Sequence, residues 1–479
     1  MDERVHNDIP ADARSSEAVI AQVVCFSSAL QGGDAIGHVR LAAPLRHAGI
    51  QLVDGMEGGW VEPTRIAESD LVVVQRDFPR EYEAYRTVVE TARSAGKPLV
   101  FELDDLLYRL PETHPDRRNH GFFTALLPML QALLEADMVL VPTRALQNAL
   151  RDLHPNVLVF PNYLDDELWE LKPPTRTEAS QDTVTIGYMG TASHTPDLEF
   201  LAPALHRLAE RYPGRLRFRF WGMEPPPSLQ GLPAVEWAQP YLRSYREFVS
   251  HFQTQSADIA IAPLVDNPFN RCKSPIKFLE YSAQGIPGVY SHIVYGEVVE
   301  HGHTGLLASS LEEWEACLIR LIEDPTLRAA MAERAQNTVA QHWRLSRNAL
   351  QWAERIRQGL QGLERPKGLE PFLGYLDAIN VQLIQGIRDL TAQGRHSHEQ
   401  IQALEIQLAE SARRNRALSE QVEELERQAT SLRRELEAHR QQVEQLESEI
   451  LGYVLSRSWR LTRPLRRIHR VLTRAKKRV

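Results

Sequence analysis

The sequence predicts an α/β protein of two doubly wound domains followed by a long C-terminal coiled-coil helix, and three observations carry that expectation. Short apolar runs alternate with amphipathic helical stretches from Val19 to about Phe160. The alternation restarts beyond a polar, proline-bearing stretch, Lys172–Asp182. From Ile401 an apolar heptad then runs for about seven repeats. Strand and helix patterns in alternation build parallel sheets covered on both faces. With 479 residues, 43% of them hydrophobic, the chain can fill more than one core.

Residues 1–18 are polar and acidic, read as a disordered start without the basic and apolar pattern of a secretion signal. The first domain, 19–171, has strand patterns at Val19–Phe26, Leu71–Val74, Pro98–Leu103, Met138–Val141 and Val157–Phe160, with helical patterns at Gly37–Ala48 and Phe122–Ala136. The second, 183–345, has strands at Val184–Met189, Leu216–Trp221, Asp258–Ala262, Gly288–Ser291 and Gly305–Ala308. Its helices are placed at Asp197–Tyr212, Tyr245–Gln253, Pro275–Gln284 and Leu311–Ile322. Helical periodicity continues through 346–365, where Arg365-Pro-Lys-Gly breaks it, so 366–395 reads as a linker before a coiled coil at 396–453 and a basic tail at 454–479.

The richest stretch is Asn270–Tyr290. Ser274 suits an N-cap and Pro275 the first helical position, so free amides of the opening turn would face an anion. Lys273, Lys277 and Glu280 fall on one helical stripe. The lysines suit phosphate oxygens, and Glu280, one turn deeper, suits sugar or ribose hydroxyls. Gly285 then stops the helix, and a buried strand follows. A helix between parallel strands has its N-terminus at the carboxyl edge of the sheet, where open α/β sheets bind ligands. An ordinary amphipathic helix with solvated charges is the alternative. In the first domain, Phe101-Glu-Leu-Asp-Asp105 ends a strand, so Asp104 or Asp105 either caps the next segment or reaches the cleft to bind an acceptor hydroxyl or act as general base. His38 and His120 are weaker candidates.

A net charge of −8 gives no global attraction to nucleic acid. The three cysteines, Cys25, Cys272 and Cys317, lack metal-type spacing and fit a reducing cytoplasm; Cys272 reads as a packed thiol more readily than a reactive one. No apolar stretch is long enough to span a bilayer. In the heptad, Ile401, Leu408, Asn415, Val422, Ala429, Leu436, Val443 and Ile450 take the a positions, and Leu404, Ser411, Leu418, Leu425, Leu432, His439, Leu446 and Tyr453 the d positions. β-Branched a residues, leucines at d and one Asn at a favour a parallel two-stranded coiled coil, hence a homodimer. Its rod would be roughly 80 Å long. The tail from Arg457 carries about ten Lys and Arg and no acid, with Leu465, Ile468 and Leu472 on one side. That pattern favours an anionic membrane surface over nucleic acid, since Trp459 alone is available there for stacking.

These residues together resemble the GT-B glycosyltransferases, in particular family 4 of the nucleotide-sugar-dependent enzymes, over about 19–363. The resemblance lies in the Gly32-Gly33 loop and the helix ending Leu45-Arg-His-Ala-Gly49, in Ala136–Thr143 and Phe160–Asp165, and in Ile186–Gly190 and Ala257–Pro263. It continues in the anion-site helix through Gly285-Ile-Pro287 and in Gly302–Leu307. It implies two Rossmann-like domains, the first on the acceptor side and the second holding a nucleotide-sugar, with 346–365 crossing back between them. Glu280 matches the second glutamate of the family's Glu-x7-Glu motif, which contacts the nucleotide ribose in relatives; the first is Cys272 here. The usual Arg and Lys after the first strand of the second domain are replaced by Gly190-Thr-Ala-Ser-His194.

The expected activity is transfer of a sugar from a nucleotide-sugar to a hydroxyl of a glycan or lipid-linked acceptor, of the kind used in bacterial surface polysaccharide biosynthesis, metal-independent and with retention of configuration. The donor site expected is Gly32, Gly33, Gly190, Thr191, Lys273, Ser274, Lys277 and Glu280, with Glu280, Lys277, Asp104 and Asp105 as the catalytic candidates. The expected location is cytoplasmic, peripheral to the inner face of the cell membrane. A GT-B nucleotide-sugar epimerase and a catalytically degenerate dimeric scaffold are the rival readings.

Overall fold

The computed structural model describes residues 20–30, 33–174, 183–238, 244–361 and 369–455, together with 466, 467, 470 and 473. The N-terminal 1–18 and most of the basic tail therefore lie outside the described residues. In chain order the first half carries β1 (Gln22–Phe26), β2 (Gln51–Asp54), a short antiparallel hairpin β3 (Met56–Glu57) and β4 (Trp60–Val61), β5 (Leu71–Gln75), β6 (Leu99–Glu102), β7 (Met138–Val141) and β8 (Val157–Val159). Six of these form one parallel sheet in the order β2-β1-β5-β6-β7-β8. The second half carries β9 (Val184–Met189), β10 (Leu216–Trp221), β11 (Val235–Ala238), β12 (Ile259–Ala262), β13 (Gly288–Ser291) and β14 (Leu306–Ala308), ordered β11-β10-β9-β12-β13-β14. Central strands such as Leu71–Gln75 and Ile259–Ala262 are buried at every position, as expected of strands covered by helices on both faces.

Each sheet reverses its direction of growth once, beside β1 and β5 in the first and beside β9 and β12 in the second. Ligands of open α/β sheets bind outside the carboxyl ends at such points. The two domains lie in one compact unit, and residues that follow β6 and β8 in the first meet residues that follow β9 and β12 in the second. Phe269 and Cys272 of the second domain pack into the first domain's core cluster, and the Thr143 hydroxyl donates to the Cys272 carbonyl at 2.8 Å. Gly33 carbonyl accepts from the Tyr245 amide at 2.8 Å. After the helix Pro325–His342, the helix Leu345–Gln361 returns to the first domain, where Trp352 and Ile356 join a core with Val23, Cys25 and Phe160.

Four strands escape the sequence pattern: β2, the two of the β3–β4 hairpin and β11. β2 and β11 are sheet edges made of exposed and half-buried residues, so they lack the continuous apolar run of the central strands. The expected linker 366–395 needs correction: from Glu370 it is helix, the start of Glu370–Leu455. Its first turns are docked, since Leu376 and Asn380 are buried, the Asn380 amide donates to Gln131 Oε1 at 2.8 Å, and the Tyr82 hydroxyl donates to Asp377 Oδ1 at 2.8 Å. A second unit begins at Gly386, and in its described part the helix continues to Leu455 with the heptad residues from Ile401 to Ile450 exposed. No described helix is long and apolar enough to cross a membrane.

Candidate functional site

At the carboxyl ends of both sheets, on the second domain's switch point and beside β6 and β8 of the first, lies a cavity of about 160 Å³. Asp104, Asp105 and Asn162 line it from the first domain, and His194, Leu264, Lys273, Ser274, Ile276, Lys277 and Tyr295 from the second. Asp104 and Asp105 follow β6, so the carboxyl-edge position read from the sequence is where they stand. Arg76, just past β5, adopts a left-handed φ of 50°, a strained state for a non-glycine residue, and its guanidinium donates to Asp104 Oδ2 at 2.8 Å. Asp104 Oδ1 is enclosed without a hydrogen-bond partner among the described residues. Burial pushes Asp104 up to about 6, against the pull of Arg76 and with a further push from Asp105. Asp105 instead faces Lys273 Nζ at 3.5 Å.

On the opposite wall the helix Ile276–Ala283 begins one residue later than expected. Pro275 holds the cap position with no side-chain hydrogen bond, which corrects the assignment of Ser274 as N-cap. The Ser274 hydroxyl accepts from Asn162 Nδ2 at 3.0 Å, so this residue ties the two domains together. Asn162 is one end of a buried polar chain. Its Oδ1 accepts from Arg40 at 2.7 Å, Arg40 Nε donates to Glu102 Oε1 at 2.6 Å, Gln75 donates to Glu102 Oε2 at 2.8 Å, and the Ser27 hydroxyl donates to Gln75 at 2.5 Å. Arg40 enters this chain from a π-helical turn, His38–Ala42, a wide turn often found at functional places.

Lys273 lies 4.5 Å from the Phe269 ring centroid. Lys277 Nζ is 3.3 Å from His194 Nε2 and 5.9 Å from the Tyr188 ring centroid. Burial, then Lys273, push Lys277 down to about 8, while Glu280, Asp197 and Asp105 hold it up. Glu280 is only 5% exposed and does not line the cavity. Its Oε1 is 3.4 Å from the Tyr245 hydroxyl, which also accepts from Trp169 Nε1 at 3.1 Å. Burial pushes Glu280 up to about 7, with Lys277 and Tyr245 pulling it down. The stripe of Lys273, Lys277 and Glu280 is thus split: the cations face the cavity and the carboxyl lies behind Tyr245.

Of the remaining expected donor residues, Gly33, Gly190 and Thr191 do not line that cavity. Gly32 lies outside the described residues. Gly33 has φ +68° and touches Ser244, where a Cβ would approach the Ser244 Cβ to 3.2 Å. Gly190 closes β9, its amide donating to the Trp221 carbonyl at 3.1 Å, and a Cβ there would fall 2.5 Å from the Tyr188 oxygen. Thr191 is exposed, its hydroxyl 2.8 Å from that of Ser193. Asn162, His194 and Asp197 are the residues sequence reasoning missed. Asn162 and His194 sit inside the segments Phe160–Asp165 and Gly190–His194, but no spacing rule marks them, because their partners Ser274 and Lys277 lie far away in sequence.

His38 and His47 each place Nε2 2.9 Å from Asp165, and Arg46 donates to the same carboxylate at 2.7 Å. His47, Asp165 and Glu167 bring possible metal-ligand atoms within 4.8 Å of one another. The Arg46 guanidinium already bridges both carboxylates, so a cation is in place without a metal. His120 has φ 55° and an exposed side chain. Cys272 is buried, with its thiol pushed up to about 11 by burial and Asp105, as a packed cysteine should be.

Residues 183–324 match the family described as Glycosyl transferases group 1. No curated protein matches the chain. Among solved structures, sucrose-phosphate synthase from Thermosynechococcus elongatus is 14% identical and aligns over 71% of this chain and 98% of its own, with a TM-score of 0.51, a likeness of fold. HepE of Anabaena, solved in complex with UDP-glucose, is 18% identical over 71% of this chain and 99% of its own, with a TM-score of 0.48. A glycosyltransferase from Rickettsia africae is 13% identical over 71% and 99%, with a TM-score of 0.46.

Proposed function

We propose that this chain, whose residues 183–324 form a group 1 glycosyltransferase domain within a GT-B fold, transfers a sugar from a nucleoside-diphosphate sugar to an acceptor hydroxyl. The observation that carries the reading is the cavity at the carboxyl ends of the two sheets, with two lysines on one wall and two aspartates on the other. As the sugar–oxygen bond breaks, charge grows on the β-phosphate, and preorganised cations there stabilise the transition state. The terminus of the Ile276–Ala283 helix adds about 0.3–2 kcal/mol, so Lys273 and Lys277 supply the larger share. Full ligand sites measure roughly 300–1,000 Å³, so a cavity of about 160 Å³ suits the diphosphate or the hexosyl unit, with the nucleoside beyond it. A ribose hydroxyl then reaches Glu280 by replacing the Tyr245 hydroxyl. Asp104, through its unpartnered Oδ1, binds the acceptor hydroxyl or takes its proton. The lysines do the neutralising that a metal performs elsewhere, so turnover should be metal-independent.

Retention of configuration, a glycan or lipid-linked acceptor of bacterial surface polysaccharide, and attachment of the basic tail to the inner face of the cell membrane complete the proposal. It also includes a parallel homodimer through 396–453. Parallel, in-register pairing sets Asn415, Ser411 and His439 each against its own copy and Glu435 beside the partner's Arg440. The test is a thermal-shift screen of UDP-, GDP- and dTDP-sugars, followed by acceptor-dependent nucleotide release. A stabilising donor and release that needs acceptor support transfer. Interconversion of the sugar without acceptor would mean an epimerase, and binding without turnover a scaffold.

A further inference from the structure

Lys277 is held by a second residue that has no counterpart in the charge pattern of its own helix. His194 follows β9 at the switch point and is buried. Its Nδ1 lies 2.8 Å from Asp197 Oδ2 and its Nε2 lies 3.3 Å from Lys277 Nζ. Asp197 is itself fixed: Oδ1 accepts from the Val265 amide at 2.8 Å and from Asn270 Nδ2 at 3.0 Å. Burial raises Asp197 to about 6 against the pull of the Val265 amide and the two lysines; above that pH it is ionised, so the imidazole donates from Nδ1 and its Nε2 lone pair is left to accept from the lysine ammonium.

We propose that His194, oriented by Asp197, is a positioning residue that fixes Lys277 and favours its charged form where the pyrophosphate of the donor binds. This rests on the reading of Lys277 as a phosphate ligand. Three consequences follow from the geometry. A buried ammonium close to a second lysine, Lys273, tends to lose its proton, and a neutral acceptor in contact opposes that loss. The histidine is kept uncharged by burial and by Lys277 and Lys273. The groups facing Lys277 are then His194 and Asp197 from one side, Lys273 from the preceding turn, Asp105 across the cavity and Glu280 beneath, so all of them but Glu280 lie outside its own helix.

The experiment is binding of UDP, GDP and dTDP to the full chain by calorimetry from pH 6 to 9.5, together with kcat and KM for the donor that is turned over. In the wild type, affinity should fall as pH rises through about 8, where free Lys277 loses its proton. His194→Ala should weaken nucleoside-diphosphate binding roughly 10- to 100-fold, the range for a lost hydrogen bond to a charged group. It and Asp197→Asn should both move the alkaline limb to lower pH, and His194→Gln, whose amide oxygen accepts, should restore it in part. Nitrogen-15 spectra of histidine-labelled wild type read the same proposal without a substitution: His194 should be the Nδ1–H tautomer, with Nε2 shifting on nucleotide addition. An Nε2–H tautomer, or an unmoved alkaline limb in both folded variants, overturns it. Lys277→Ala separates the two levels. If that variant binds as the wild type does, the phosphate role of Lys277 fails; if it alone loses binding while His194→Ala does not, only the present inference fails.

Discussion

Glu280 shows how burial sets the behaviour of a single carboxyl. Its folded-state pKa of about 7 lies above the unfolded value, so the group favours folding at low pH and that contribution is lost as pH rises through 7. Glu280→Gln stays neutral throughout. Its stability should therefore gain on the wild type between pH 5 and 8, by a margin on the order of 1–3 kcal/mol at the upper end. Thermal unfolding across that range checks this, and parallel curves would contradict it. The same variant should bind donor less tightly, because an amide is a weaker acceptor for a ribose hydroxyl than a carboxylate. For Asp104→Asn the expected split is different: donor affinity is kept while kcat falls roughly 100-fold or more, the scale of general-base loss. Steady-state kinetics with saturating donor read it directly.

At the scale of elements, the loops that end the strands carry both the chemistry and the strain. Gly190→Ala forces a methyl toward the enclosed Tyr188 oxygen and should destabilise by about 1–3 kcal/mol, measured by denaturant unfolding. Breaking the buried Arg40–Glu102 pair from one side, as in Glu102→Gln, should cost about 3–5 kcal/mol and loosen Asn162 from Ser274. The central strands were legible because each is a continuous apolar run, and the helix at 276 because stripe and stop signals agree. Edge strands β2 and β11 were not, since exposed residues break their pattern. The two lysines and two aspartates of the cavity were read from their places at a helix start and a strand end. The split between Lys277 and Glu280 was hidden because helical spacing gives direction but not what packs in front, here Tyr245. The His194–Asp197 pair was hidden because its meaning comes from Lys277, far away in sequence.

For the whole molecule, the apolar seam from Ile401 to Ile450 is where the proposed dimer is tested, apart from the site between the domains. Its large apolar seam residues are each at least half exposed in the single chain. Leu418→Ser with Leu425→Ser and Leu432→Ser should convert a dimer to a monomer in sedimentation equilibrium without changing donor affinity per site; monomeric wild type would remove the dimer. Flotation with phosphatidylserine liposomes should require the residues after 456, and indifference to anionic lipid would remove the membrane proposal. The most direct trial of the central claim is a crystal structure of the full chain with the nucleoside diphosphate that stabilises it. The expected density places the β-phosphate within hydrogen-bond distance of Lys277 Nζ, in the cavity between Lys273 and the Asp104–Asp105 pair. A nucleotide bound elsewhere, with that cavity left to solvent, would contradict the account.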